Sequence, residues 1–172
     1  KLGADAADVL TVSAEGTDFE LRDGNIEKLE RDEGSVIGLR VFVGQSSAMT
    51  SGNVLTMGAL HKLAENAVAM ARLAPPDIHA GLAPADLLAT SIPELDLAAD
   101  DLPDSARLQQ MAREAEETAL AIKGVSRSGG ASASASRRRV ALLTSNGFAS
   151  TYERTGISVS VSAIAGEGTG ME

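Results

Sequence analysis

The sequence predicts an α+β fold, a mainly antiparallel sheet packed with two long helices. Three observations carry this: period-two alternation at both ends of the chain, two stretches with apolar residues three and four apart between them, and a proline-rich acidic connection separating those stretches. At 172 residues the chain is long enough for a real hydrophobic core in one compact domain or two very small ones.

Residues 1–8 are rich in alanine and are expected to form the last turn of a helix, with Gly3 near its end. Val9, Thr11 and Ser13 then alternate with Leu10 and Val12, and residues 19–22 continue the strand-like pattern. Asp23, Gly24 and Asn25 tolerate positive φ and are flanked by Leu21, Ile26 and Leu29, as a hairpin requires. Residues 35–43 give another strand, ended by Gly44, so the first fifty residues read as an antiparallel meander.

Thr56 is placed to cap a helix in which Leu60, Leu63, Ala64, Ala67 and Ala71 share one face, and Pro75 and Pro76 stop it. Residues 75–104 hold all five prolines and seven acidic side chains, and read as a long surface connection. The second helix spans about residues 105–123. Its stripe is Leu108, Met111, Ala112, Ala115, Ala119 and Ile122; Glu114, Glu116 and Glu117 fall off it toward solvent, and Gly124 offers a stop. Beyond Gly124 the period returns to two: alanine and serine alternate over residues 131–136, followed by residues 140–143 and 157–162, with a turn near Asn146 and Gly147. The Ala/Ser run alone also reads as a flexible linker. Its neighbours favour a sheet with a flat, small-residue surface.

Tryptophan is absent and the aromatic residues are Phe19, Phe42, Phe148 and Tyr152, so the core is built from small and aliphatic side chains. A net charge of −9 argues against nucleic acid as a partner. Zero cysteines exclude disulfides, thiolate metal sites and cysteine nucleophiles, and suit a reducing compartment. No apolar run approaches eighteen residues and no signal peptide is visible, although Lys1 rather than methionine opens the sequence and leaves room for a removed amino terminus.

The chemical signals are sparse. His61 and His79 are eighteen positions apart and do not make the paired imidazoles of a zinc helix. Asp100, Asp101 and Asp104 lack the alternating oxygen ligands and closing glutamate of a calcium loop. Residues 124–130 form neither a phosphate-binding loop nor a dinucleotide fingerprint, and Ser132, Ser134 and Ser136 have no activating base in view. Arg137, Arg138 and Arg139 make the one dense basic cluster, better suited to an acidic protein surface than to DNA in so acidic a chain. No residue is assigned a catalytic, cofactor-binding or metal-ligating role.

Four segments together resemble the TldD/PmbA family, and within it the PmbA branch, also called TldE. They are Gly3-Ala4-Asp5 before a strand; residues 22–30 (RDGNIEKLE); residues 38–44 (GLRVFVG) followed by residues 67–72 (AVAMAR); and residues 144–152 (TSNGFASTY) running into residues 155–163. The resemblance implies a larger cytoplasmic protein. In it residues 1–172 form the amino-terminal α+β domain, open to truncation at both ends and without the β-rich carboxy-terminal domain. It further implies a heterodimeric metallopeptidase of TldD-type and PmbA-type subunits that degrades unfolded or flexible peptides, with zinc held by the TldD-type partner and none in this fragment. The name "modulator of DNA gyrase" attached to such proteins reflects an indirect connection.

The expected function is therefore a non-catalytic structural and partner-binding part of a PmbA/TldE-like subunit, inactive alone. Its partners would be a TldD-like subunit and flexible peptide, with no direct nucleic acid and no membrane. The exposed edge of the early meander, around residues 19–21 and 39–43, is the expected place for strand pairing with a subunit or peptide. The alternatives are a nonenzymatic regulatory protein-binding domain and a complete hydrolase with an unfamiliar carboxylate site.

Overall fold

The structure, a computed structural model, describes residues 2–166. Lys1 and residues 167–172, into which the resemblance would run on toward a further domain, lie outside them. Five strands and two long helices follow in the order β1 (Ala6–Arg22), β2 (Asn25–Val43), β3 (Ser46–Gly52), α1 (Met57–Leu73), α2 (Ser105–Leu120), β4 (Val125–Thr144) and β5 (Ala149–Ala165). A short 3-10 turn, Ala85–Leu87, interrupts the connection between the helices. The strands form one sheet of order β3-β2-β1-β4-β5, and β2 meets β3 antiparallel, from Ile37 opposite Gly52 to Val43 opposite Ser46. The α+β class with a mainly antiparallel sheet and two long helices is as predicted.

Contacts within the chain divide it into two compact units, and β1, β2, β4 and β5 each contribute one stretch to either. The first comprises Lys1–Ser13, Gly34–Leu95 and Arg139–Glu153. Its core sets Ala67, Val68 and Ala71 of α1 against Leu39 and Val41 of β2, with Ala7 and Val9 of β1 and Ala48 of β3 around them. Helix α1 starts where predicted because the Thr56 hydroxyl accepts the Ala59 N–H at 3.3 Å. It ends before Pro75, which holds Ala74 extended at φ −70° and ψ 144°.

The amino-terminal helical turn expected over residues 1–8 is not formed; β1 begins at Ala6. The Asp5 N–H donates to the Phe42 carbonyl at 2.9 Å and the Asp5 carboxylate accepts the Gly44 N–H at 2.7 Å, so pairing with β2 overrides the helical preference of alanine.

The second unit comprises Ala14–Glu33, Asp96–Arg138 and Arg154–Glu172. Phe19 and Leu21 of β1 and Leu108 of α2 are its largest fully buried side chains, each contributing on the order of 2 kcal/mol by burial. Ala112 of α2 and Ala131, Ala133 and Ala135 of β4 join them. The Ala/Ser run is therefore strand rather than linker: its alanines pack against α2, and small side chains let helix and sheet approach closely. Asp104 caps α2 by accepting the Arg107 N–H at 2.8 Å. The helix ends at Leu120, earlier than expected, which leaves Ile122 exposed rather than in the core.

Candidate functional site

The residues singled out in the sequence do not converge. His61 makes an exposed contact with Glu65 one turn along α1, at 3.4 Å. His79 lies in the exposed connection, where its backbone N–H donates to the Asp77 carboxylate at 2.8 Å. Asp104 is spent as a helix cap, and among the described residues no group of three or more His, Cys, Asp or Glu is placed to hold a metal ion. The donors that the described residues bring together thus do not fit a zinc centre. Residues 125–130 open strand β4, and the Ser132 hydroxyl bonds to that of Ser160 at 2.8 Å.

The three arginines are divided between the two units. Arg137 donates to the carbonyls of Ala99 and Asp100 at 3.1 and 2.9 Å in the second unit, while Arg139 is engaged by Glu153 in the first. Two of the three guanidiniums thus serve internal contacts.

The expected partner edge requires correction. Phe19 and Leu21 lie on the central strand β1, and residues 39–43 lie on β2, already paired with β3. The outer strands are β3 and β5. Because β3 reaches only Ile37–Val43, residues 25–36 of β2 have no strand neighbour on their outer flank among the described residues. That flank is mixed: Ile26, Leu29 and Val36 are exposed on it beside Glu27, Lys28, Glu30, Arg31, Asp32 and Glu33. The Lys28 ammonium lies 2.8 Å from the Glu30 carboxylate, and this hydrogen bond, with their mutual attraction, raises the pKa of the lysine and lowers that of the glutamate.

Strand β5 is different in kind. Near its start the connection runs beside it, with the Thr155 N–H donating to the Leu97 carbonyl at 3.0 Å and the Ala99 N–H to the Thr155 hydroxyl at 2.9 Å. Beyond that point Ile157, Val159 and Val161 are exposed, and Val159 and Val161 share a shallow depression with Met111, Ala115 and Ile122. This is an apolar strand flank beside a helix border that is apolar at Met111, Ala115 and Ile122 and polar at Arg107, Glu114 and Thr118, and an exposed apolar flank suits an added strand.

One polar residue escaped the sequence reading. Glu116 is only 4% exposed, and its carboxylate oxygens accept the Asp23 N–H at 2.9 Å and the Gly24 N–H at 2.8 Å. Asp23 and Gly24 both have positive φ, 49° and 74°, as a two-residue hairpin turn demands, and α2 thereby ties down that turn. Burial alone raises the pKa of this carboxyl. Hydrogen bonds from Ser128, Gly24 and Asp23, with the Arg113 charge nearby, outweigh it and bring the pKa below its ordinary value. The role is architectural.

Two family models match in succession: residues 7–71 fit the PmbA/TldA metallopeptidase domain 1, and residues 95–172 fit the PmbA/TldA metallopeptidase central domain. The chain belongs to the PmbA/TldD family. The Metalloprotease PmbA homolog of Haemophilus influenzae is 32% identical over 175 residues, covering 100% of this chain and 38% of that protein. Metalloprotease PmbA of Escherichia coli O157:H7 is 30% identical over 172 residues, covering 98% and 38%. This chain therefore spans a little over a third of the length of its curated PmbA relatives. A crystal structure from Bacteroides thetaiotaomicron, named for modulation of DNA gyrase, superposes with a TM-score of 0.89 at 26% identity, covering 98% of this chain and 39% of that one. TldE from Thermococcus kodakarensis shares the fold, with a TM-score of 0.74 at 13% identity over 98% of this chain and 38% of its own. No helix among the described residues is long and apolar enough to cross a membrane.

Proposed function

We propose that this chain is a non-catalytic structural and partner-binding part of a PmbA/TldE-like subunit in a TldD-type zinc metalloprotease that acts on unfolded peptides in the cytoplasm. The observation that carries the reading is the match of two successive stretches of the chain to two successive domains of one metallopeptidase family. The described residues bring together no metal-holding group, so no hydrolytic step is assigned to them, and the reading puts the metal on the TldD-like partner. Their part is mechanical: a sheet that presents its outer strands to the partner or to an extended peptide. The apolar flank of β5 at Ile157, Val159 and Val161 is the surface that best suits this role.

The experiment is to purify the full-length protein alone and with its TldD-like partner, and to measure mass, zinc content and cleavage of an unfolded peptide. Zinc-dependent cleavage by the heteromer alone is the expected result. Cleavage by this protein alone overturns the non-catalytic role, and partner binding that survives chelation with no cleavage anywhere favours a regulatory binding domain. Val159→Lys is expected to weaken association at least tenfold with the monomer still folded; unchanged association removes β5 from the interface.

A further inference from the structure

The first unit holds a half-open cavity of about 550 Å³ that neither the family match nor the proposed assembly explains. Ligand sites are typically concave, mainly apolar and about 300–1,000 Å³, with a few fixed polar groups. Here the apolar lining comes from Leu10 of β1, Met49 of β3, Leu142 of β4 and the connection residues Leu82, Leu87 and Leu88. The connection is held in place at two points: the Asp77 N–H donates to the Gln45 carbonyl at 2.8 Å, and the Asn146 side-chain amide donates to the Ala83 carbonyl at 2.9 Å. The cavity is therefore preformed.

Into this apolar lining the sheet sets one charged pair, Asp8 and Arg40. Arg40 Nε donates to Asp8 Oδ2 at 3.0 Å and to Oδ1 at 3.3 Å, and Nη2 also reaches Oδ2. The guanidinium carbon lies over the Phe42 ring, 5.2 Å from its centroid and within cation–π range. Nη1 has no hydrogen-bond partner among the described residues, and Oδ1 has only the longest of these bonds. The Arg40 side chain is 43% exposed, so it is open to a ligand.

We propose that this cavity binds a free α-amino acid with an apolar side chain. The carboxylate would sit on Nη1 of Arg40, the ammonium on Oδ1 of Asp8, and the side chain among the leucines. The charge balance selects this class. The pair is neutral as a unit, so a fatty acid would add an uncompensated negative charge beside Asp8, and an amine an uncompensated positive one beside Arg40. A zwitterion adds one charge of each sign opposite its complement. The proposal goes beyond the metalloprotease reading and stands or falls without it.

The test is isothermal titration of the full-length protein with L-leucine, L-leucinamide, N-acetyl-L-leucine and hexanoate. Leucine is expected to bind, with the three analogues at least tenfold weaker because each lacks one charge. Asp8→Asn and Leu87→Asp are each expected to lower leucine affinity at least tenfold. Leu87 is 73% exposed, so its variant keeps the fold and the binding readout stays interpretable. No heat with millimolar leucine, equal binding of hexanoate, or unchanged affinity in the folded Leu87→Asp variant would each overturn the assignment.

Discussion

Replacing Glu116 by glutamine tests whether a buried carboxylate holds the β1–β2 turn. The substitution keeps size and burial, but one amide N–H of the turn then faces an NH2 donor instead of an oxygen, and the other loses its charged acceptor. One lost and one weakened charge-assisted bond amount to roughly 2–4 kcal/mol, and the exposure of Asp23 and Gly24 to water places the expected loss near 2 kcal/mol. The assay is urea denaturation of both proteins at pH 7 and at steps down to pH 3. Because the folded pKa of Glu116 is lowered, its contribution is complete above the unfolded value of about 4.3 and is lost as pH falls through the folded value. The gap between wild type and Glu116→Gln should therefore be widest at neutral pH and narrow in acid. Were burial the winning effect, glutamine would stabilise the protein at pH 7; that sign, or a gap that ignores pH, would refute the reasoning.

Three further substitutions probe the packing. Ala133→Leu adds three carbons at a site 1% exposed against α2 and should cost about 3 kcal/mol or more by urea denaturation, with less secondary structure by circular dichroism. A Cβ at Gly129 would lie 2.8 Å from the Ser162 hydroxyl oxygen and 3.2 Å from its carbonyl, so Gly129→Ala should destabilise by about 1–2 kcal/mol, with part of the loss recovered by adding Ser162→Gly. Thr56→Ala should cost about 1 kcal/mol by removing the cap of α1, while Thr56→Ser is nearly neutral by the same measurement.

Much of the architecture was legible because its signals are local. Asp23 and Gly24 announce a turn that needs positive φ, and Thr56 with Pro75 brackets α1 through caps and breakers that act within a few residues. Where the reading failed, the deciding partner was distant in sequence. The amino-terminal alanines favour helix locally, yet Asp5 finds its bonds at Phe42 and Gly44. Glu116 reads as a solvent residue because apolar periodicity cannot register a carboxylate whose partners are backbone amides 92 and 93 positions away. The Asp8–Arg40 pair left a fainter trace, a single charge inside the apolar run of residues 38–43, which gives no hint of its partner.

Strand order explains why the partner edge was the least legible feature. Alternation tells which face of a strand is apolar but says nothing about which strand lies outermost, and insertion of β1 between β2 and β4 turns apparent edges into the middle of the sheet. Once the order is known, the outer flanks of β2 and β5 separate on chemistry. The outer flank of β2 sets its exposed Ile26, Leu29 and Val36 among Glu27, Lys28, Glu30, Arg31, Asp32 and Glu33, and an incoming strand would have to desolvate these charges, which is how sheets commonly resist edge-to-edge pairing. On β5, an outer strand, the exposed Ile157, Val159 and Val161 offer apolar area beyond the stretch that the connection already lines at Thr155. Association through β5 removes apolar surface from water while adding main-chain bonds. Association through β2 sets those bonds against the desolvation of ions, so the balance of the two favours β5.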